Sequence, residues 1–503
     1  MEHNPNISQP VMVVKNTGIL VIAQFVTMGS GVVWVAAFAR YVGPSIYGLY
    51  NYALSVMALL ALLINFGIEP LLTRNIARQP ENAEGYVKNA LFIKIILALF
   101  VLTPFFLYGV LSWDHTLVSI LIICGVGTIV DAVVGLLNSA LYAFENMIYD
   151  AIGQSVRGIL LIAICLPLIH YKVSFIHVLW ISVGLSFLKA LICWYGLRKK
   201  TRGIVNQSEK LSIGMSFSIF KDSFAFAVLS IIVVVYNNLI ILLIRFILKD
   251  DTALGYFAAA QRIYLFALII PAMFHQAIYP VLSRTFVQSF DNFTEIFEKV
   301  YRYLLAIAFP VGVGMAILAP FLINLIYGER FGSSVISLRI LSLGLLNGPG
   351  FVMGAALSAI NKQSLNAMIF GLTVILLGLF SYLAIPILGI EGACWATVVS
   401  NLTGLLVYSI ILFRHLRIPY PWEWLFKICA SSAIMGVLML ATSQYIPGKV
   451  VPFLASTMIG IMAYLLCLIL LRSFSGKDAE LISSLIPCPA IYRYHIQKTL
   501  FRI

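Results

Sequence analysis

Charge is what this chain has least of. Asp, Glu, Lys and Arg together make up 11% of 503 residues, against 61% hydrophobic, whereas a soluble domain is about one quarter charged. With a mean hydropathy of +0.98, the chain cannot present an ordinary water-facing surface and must be solvated by lipid. Acids are the scarcer sign, 20 against 33 Lys and Arg. The seven cysteines (Cys124, Cys165, Cys193, Cys394, Cys429, Cys467 and Cys488) show no CxxC or paired spacing, which argues against a disulfide framework or a zinc site. Also missing are a GxxxxGK[ST] phosphate loop and a Ser, His and Asp set of recognisable spacing. No loop is long enough to house a catalytic domain, so neither catalysis nor a cofactor is expected. His115, His170, His177, His275 and His415 fall near span ends, where an interfacial role is the simpler reading. The start, Met1-Glu2-His3-Asn4-Pro5, lacks the basic region of a secretory signal.

What the chain does have is long apolar runs. A helix needs about 20 apolar residues to cross a lipid core of about 30 Å, and fourteen runs qualify: 18–39, 45–66, 89–108, 117–141, 151–169, 175–195, 224–247, 254–278, 303–322, 333–360, 365–387, 392–413, 428–445 and 450–471. The alternating pattern of a lipid-facing barrel is absent. The expected fold class is therefore all-α integral membrane. The signature Ile68-Glu69-Pro70-Leu71-Leu72-Thr73-Arg74 returns as Ile278-Tyr279-Pro280-Val281-Leu282-Ser283-Arg284. Arg40-Tyr41 and Gly48-Leu49-Tyr50 precede the first copy, while Arg245-Phe246 and Gly255-Tyr256-Phe257 precede the second. Two pseudo-symmetric six-helix lobes, 1–196 and 224–413, follow, with a basic linker at 197–223, two added helices within 414–472 and an amphipathic or disordered tail at 473–503. Such repeats commonly flank a transport path.

Positive charge sets the orientation. Twenty-two of the basic residues fall on the side of the termini, and only Arg40, Lys172, Lys249, Arg330 and Lys449 lie in the opposite loops. Both termini are therefore expected in the cytoplasm. The net charge of +13 is then explained by loops beside anionic lipid headgroups, without a nucleic-acid partner.

Lys94, Arg157, Lys189, Arg245, Arg262 and Arg339 lie within the spans, and Asp131 is the one acid well inside a run. Each mid-bilayer charge facing lipid costs about 2.5 to 3.5 kcal/mol. Lys94 and Lys189 are read as snorkelling to the headgroups. The arginines are read as lining a water-filled cationic cavity for an anionic, diphosphate-bearing substrate, because a guanidinium binds phosphate in a forked geometry and keeps its proton. Arg157, Arg245, Arg262 and Arg339 are the deep candidates, and Arg40 stands near the outer end of the path. Asp131 either titrates as an ion-coupling group or makes a fixed pair with Arg157. Gly29-Ser30-Gly31, Pro271, Pro310 and Gly348-Pro349-Gly350 mark places to bend, or mere packing kinks.

Lys15-Asn16-Thr17, Phe38-Ala39-Arg40-Tyr41-Val42-Gly43-Pro44, Tyr47-Gly48-Leu49-Tyr50 and Asn65-Phe66-Gly67-Ile68 resemble the start of a polysaccharide-biosynthesis flippase. Leu254-Gly255-Tyr256-Phe257-Ala258-Ala259-Ala260-Gln261-Arg262, Tyr327-Gly328-Glu329-Arg330-Phe331 and Leu388-Gly389-Ile390-Glu391-Gly392-Ala393 resemble its second half. The resemblance implies the O-antigen and capsule branch of the multidrug, oligosaccharidyl-lipid and polysaccharide exporters. It also implies a V-shaped pair of lobes that moves a polyprenyl-diphosphate-linked oligosaccharide across the bacterial cytoplasmic membrane, beside a polysaccharide polymerase and chain-length machinery. A lipid-linked peptidoglycan precursor flippase is the nearest alternative. A non-transporting assembly scaffold is another, and a drug antiporter of the MATE relatives is disfavoured because the first span has no acidic residue.

Overall fold

In lipid every backbone N–H and C=O must be satisfied within the chain, so the apolar runs have little choice but to coil. A computed structural model describes residues 9–112, 114–202, 212–416, 420–445, 450–471 and 473. Among them there are sixteen α-helices, short 3-10 turns and no strand. In order these are α1 (Gln9–Asn65), α2 (Ile68–Arg78), α3 (Ala83–Ser112), α4 (His115–Ala143), α5 (Ile148–His170), α6 (Phe175–Thr201), α7 (Ile213–Leu248) and α8 (Asp251–Ala267). They continue as α9 (Ile269–Gln288), α10 (Phe290–Tyr327), α11 (Ser334–Leu343), α12 (Gly348–Ala359), α13 (Gln363–Leu388), α14 (Ile390–Leu416), α15 (Trp422–Tyr445) and α16 (Val450–Leu470). Residues 203–211 of the expected linker, and all of the expected tail but Ser473, lie outside the described residues.

Thirteen segments among the described residues are long and apolar enough to cross a membrane. The first, Ala23–Arg78, runs for 56 residues, about 84 Å at 1.5 Å per residue, enough for two passes. It is broken at Gly43, whose φ of 77° and ψ of 176° belong to backbone that side chains disfavour. Pro44 follows with no N–H to donate. With that segment counted twice, the described residues hold fourteen stretches of membrane-crossing length, in line with the apolar runs.

The bends differ in part from those expected. Gly29, Ser30 and Gly31 stay helical within α1, and the break falls at Gly43 instead. Pro310 sits inside an unbroken α10. Span eight does break near Pro271, between α8 and α9, and a 3-10 turn at Gly344–Asn347 interrupts span ten just before Gly348-Pro349-Gly350.

The chain divides into two compact units, residues 1–255 and 256–503, with the boundary inside α8. In the first, α2 buries Ile68, Leu71, Leu72 and Ile76, one helical face, against Ala90 and Ile93 of α3 and Leu136, Leu137, Ala140 and Leu141 of α4. The start of α7 is tied to α3 by buried Asn89, whose Oδ1 accepts from Ser212 N and Ser216 Oγ, each at 3.0 Å. The two repeated glycines meet in this unit. A Cβ on Gly48 would stand 2.0 Å from the Asp251 carbonyl oxygen, and one on Gly255 would stand 2.0 Å from that of Pro44.

The second unit is closed by aromatic rings and small residues. Phe297, Tyr301, Phe413 and Tyr420 pack ring to ring, joining α10 and α14 to the start of α15. α16 is fixed by Tyr464, whose hydroxyl donates to the Ala306 carbonyl at 2.7 Å, and by Phe321 stacked on Phe453 at 3.9 Å.

Candidate functional site

Lys94, Asp131, Arg157 and Lys189, all charged groups of the spans, belong to the first unit. Lys94, only 3% exposed, does not snorkel as its sequence position suggests. Its ammonium donates to Asn65 Oδ1 at 2.9 Å, Glu69 Oε1 at 3.0 Å and the Ala132 carbonyl at 2.9 Å. These use all three of its protons, and they tie α3 to α1, α2 and α4. Glu69 is the acid of the first repeated signature, and its counterpart Tyr279 has no charge. Gly135 makes the room: a Cβ there would lie 2.2 Å from Glu69 Oε1.

Lys189 is also paired internally rather than snorkelling, with Asp150 at 3.0 Å. The apolar run begins at residue 151, which leaves Asp150 just outside the expected span. In the structure α5 starts at Ile148, and Asp150 is fully buried in its first turn. Its Oδ1 accepts from Asn138 at 2.9 Å, and its Oδ2 accepts from Gln154 at 2.9 Å and from the Tyr142 hydroxyl at 2.5 Å. With Lys189 that makes four donors from α4, α5 and α6, which suits an ionised, acceptor-only carboxylate. Asp131 is thus not the one acid within the membrane.

The second unit repeats this elbow without charge. α4 ends in a turn where Asn146 N bonds the Leu141 carbonyl at 2.9 Å, and α12 ends in the same turn where Lys362 N bonds Leu357 at 2.9 Å. Glu145 and Asn361 hold the left-handed position, with φ of 54° and 60°. Tyr142 to Asp150 then corresponds to Ser358 to Asn366, joined at 3.1 Å. Asn366 Oδ1 accepts from the Tyr408 hydroxyl at 2.6 Å. A carboxylate with a lysine in one unit is an amide with a phenol in the other.

Asp131 and Arg157 lie seven residues beyond Asn138 and Asp150 along their helices, two turns away on the same faces. Asp131 is exposed on α4, and the charges of Arg157 and Lys189 both reach it. Half-buried Arg157 has a buried Nε with no hydrogen-bond acceptor among the described residues. Beside it, α5 crosses α1 closely, since a Cβ on Gly158 would stand 2.5 Å from Ser30 Oγ.

The other arginines stand apart from this group. Arg245, in the last turn of α7, pairs with Asp251 at 2.8 Å. Arg40 is exposed just before the Gly43 kink, and Arg262 and Arg339 are exposed on α8 and α11 of the second unit. Spacing along one helix does not record which helix faces it, so the sequence leaves Glu69 and Asp150 unremarked as partners and reads Lys94 and Lys189 as snorkelling. The elbow offered one signal, in that Asp150 and Asn366 each stand four residues after the end of an equivalent turn. Such a set of fixed charges can bind, orient or exchange a partner; nothing in it resembles a nucleophile with its base.

An all-helical bundle of long apolar spans, with charges held inside them, defines a multi-pass membrane protein. A solved structure of the lipid II flippase MurJ in an inward closed conformation matches it with a TM-score of 0.73 at 20% identity, covering 89% of this chain and 97% of that one. An inward-facing MATE multidrug transporter matches with a TM-score of 0.64 at 14% identity, over 79% and 98% of the two chains. At such identities the likeness shows the fold. Residues 13–286 match the model of the polysaccharide biosynthesis protein family, and the chain belongs to that family. It is 25% identical over 431 residues to the capsular polysaccharide biosynthesis protein CapF of Staphylococcus aureus, covering 78% of this chain and 98% of that protein.

Proposed function

We propose that the protein is a flippase carrying polyprenyl-diphosphate-linked oligosaccharide units across the bacterial cytoplasmic membrane by alternating access, for assembly of a capsule, O-antigen or exopolysaccharide. The observation that carries this reading is Arg157, a guanidinium inside the spans with an unpartnered Nε, in a chain of the polysaccharide biosynthesis family. A diphosphate is a forked anion and supplies the acceptors that such a group lacks. Arg40, Arg245, Arg262 and Arg339 extend the cationic path, with both termini in the cytoplasm and the polyprenyl chain remaining in lipid. Asp131, facing Arg157 and Lys189, is the group that trades a cation for substrate, while the saturated Asp150 stays fixed. A polymerase and chain-length machinery receive the product.

The experiment is complementation of a host that lacks its own flippase. Arg157→Ala, Arg245→Ala, Arg262→Ala and Arg339→Ala are introduced singly, and surface glycan is scored against protein level. Full surface glycan from every variant refutes the cationic path. A second reading, translocation of a lipid-linked peptidoglycan precursor, is favoured by the match to the lipid II flippase fold. Rescue of a strain depleted of its precursor flippase, without rescue of surface glycan, would decide for it.

A further inference from the structure

A cavity of about 470 Å³ lies between α1 and α7, lined by Tyr52, Leu242, Leu243, Arg245, Phe246 and Lys249. That volume is within the range of small-ligand sites. Its lining combines apolar and cationic side chains. Leu242, Leu243 and Phe246 form one apolar wall along the last turns of α7, and Phe246 is 74% exposed. Arg245 stands between Leu243 and Phe246 on the same turns, Lys249 ends the helix, and Tyr52 lines the cavity from α1. α7 stops at Leu248, and Asp250 follows at once, its carboxylate accepting from Thr252 N at 2.8 Å and Ala253 N at 3.2 Å. A polar helix junction directly after an apolar wall is the pattern of the headgroup layer.

The cations are held in place. Asp251 grips one arm of Arg245 at 2.8 Å, which orients the guanidinium and leaves its other N–H groups to donate. Lys249 takes the left-handed position that ends α7, with φ of 53° and its N–H bonded to the Arg245 carbonyl at 3.2 Å. Both side chains line the cavity, whereas Asp250 and Asp251 do not. The face offered to a ligand therefore sets two cations beside apolar side chains.

We propose that this cavity binds the phosphodiester headgroup of a membrane glycerophospholipid. Arg245 and Lys249 donate to the phosphate oxygens, the Tyr52 hydroxyl faces the headgroup, and an acyl chain lies along Leu242, Leu243 and Phe246. A water-soluble anion would gain nothing from that wall, and an uncharged lipid would gain nothing from the cations. Arg245 also belongs to the proposed cationic path, so the lipid that the cavity retains distinguishes the two uses.

The test is native mass spectrometry of the full-length protein taken from bilayers of phosphatidylglycerol and diacylglycerol with the same acyl chains. The wild type should retain phosphatidylglycerol over diacylglycerol at one tight position. Lys249→Asn, which tolerates the left-handed backbone, and Arg245→Gln should each lower that retention about tenfold or more, because each removes a charge-assisted donor. Tyr52→Phe should lower it less. Variants that melt with the wild type but retain phosphatidylglycerol equally overturn the proposal, as does equal retention of diacylglycerol. Retention of polyprenyl diphosphate to the exclusion of phosphatidylglycerol overturns it too, by assigning the cavity to the transported lipid.

Discussion

Removing the Asp150 carboxylate is the most direct test of how the first unit is held together. Asp150 is fully buried and Lys189 is 13% exposed, so solvent screening does little to soften the change. Asp150→Ala strands the Lys189 ammonium, the Tyr142 hydroxyl and the Asn138 and Gln154 amides, all donors aimed at one point. Breaking a buried pair from one side costs about 3 to 5 kcal/mol, a large share of a total stability of about 5 to 15 kcal/mol. Replacing both charges by apolar groups is far milder, since no ion is then left without a partner. Asp150→Ala combined with Lys189→Met should therefore recover at least about 2 kcal/mol of the loss, a coupling in the range measured for contacting pairs. The assay is equilibrium unfolding in bicelles of the wild type, both single variants and the double. A loss under about 1 kcal/mol for Asp150→Ala, or a double variant no more stable than that single, refutes the reasoning.

Gly48→Ala places a Cβ 2.0 Å from a backbone carbonyl and should cost about 1 to 3 kcal/mol or more, seen as lost folded yield in detergent; a wild-type yield counts against the close crossing of α1 and α8. Gly135→Ala pushes Glu69 away from Lys94, so its effect should overlap with that of Glu69→Ala. Fully additive losses in unfolding experiments would break the link. Arg157→Ala should reduce surface glycan by about tenfold or more, the worth of one charge-assisted contact of about 1.5 to 3 kcal/mol, with Arg157→Lys between; equal activity of all three removes Arg157 from the path. Asp131→Asn should abolish the dependence of flipping on an imposed ion gradient in proteoliposomes, and unchanged dependence would leave coupling to another group.

Glu69 and Asp150 show where a linear reading stops. Both lie at the edge of an apolar run, where hydropathy alone assigns a residue to water. Each instead pairs with a lysine on another helix. Lys94 and Glu69 are 25 residues apart, and no periodicity along α2 or α3 records that they meet. Snorkelling was the cheaper inference for a lone lysine, and it failed because these lysines are not alone. The glycines were legible only in part. Gly48 and Gly255 appear in the repeat as matching letters, but their shared role, a backbone contact too close for any side chain, belongs to the folded chain.

By itself the sequence determined the solvent, the helical class, the fourteen passes and the duplication. Each follows from local composition: lipid leaves an apolar run of some twenty residues no way to satisfy its backbone except by coiling. Only the tertiary structure decided which charges meet. Ionic pairing depends on which helix faces are brought together and how deep each turn sits, so the Asp150 elbow is ionic in one unit and neutral in its counterpart.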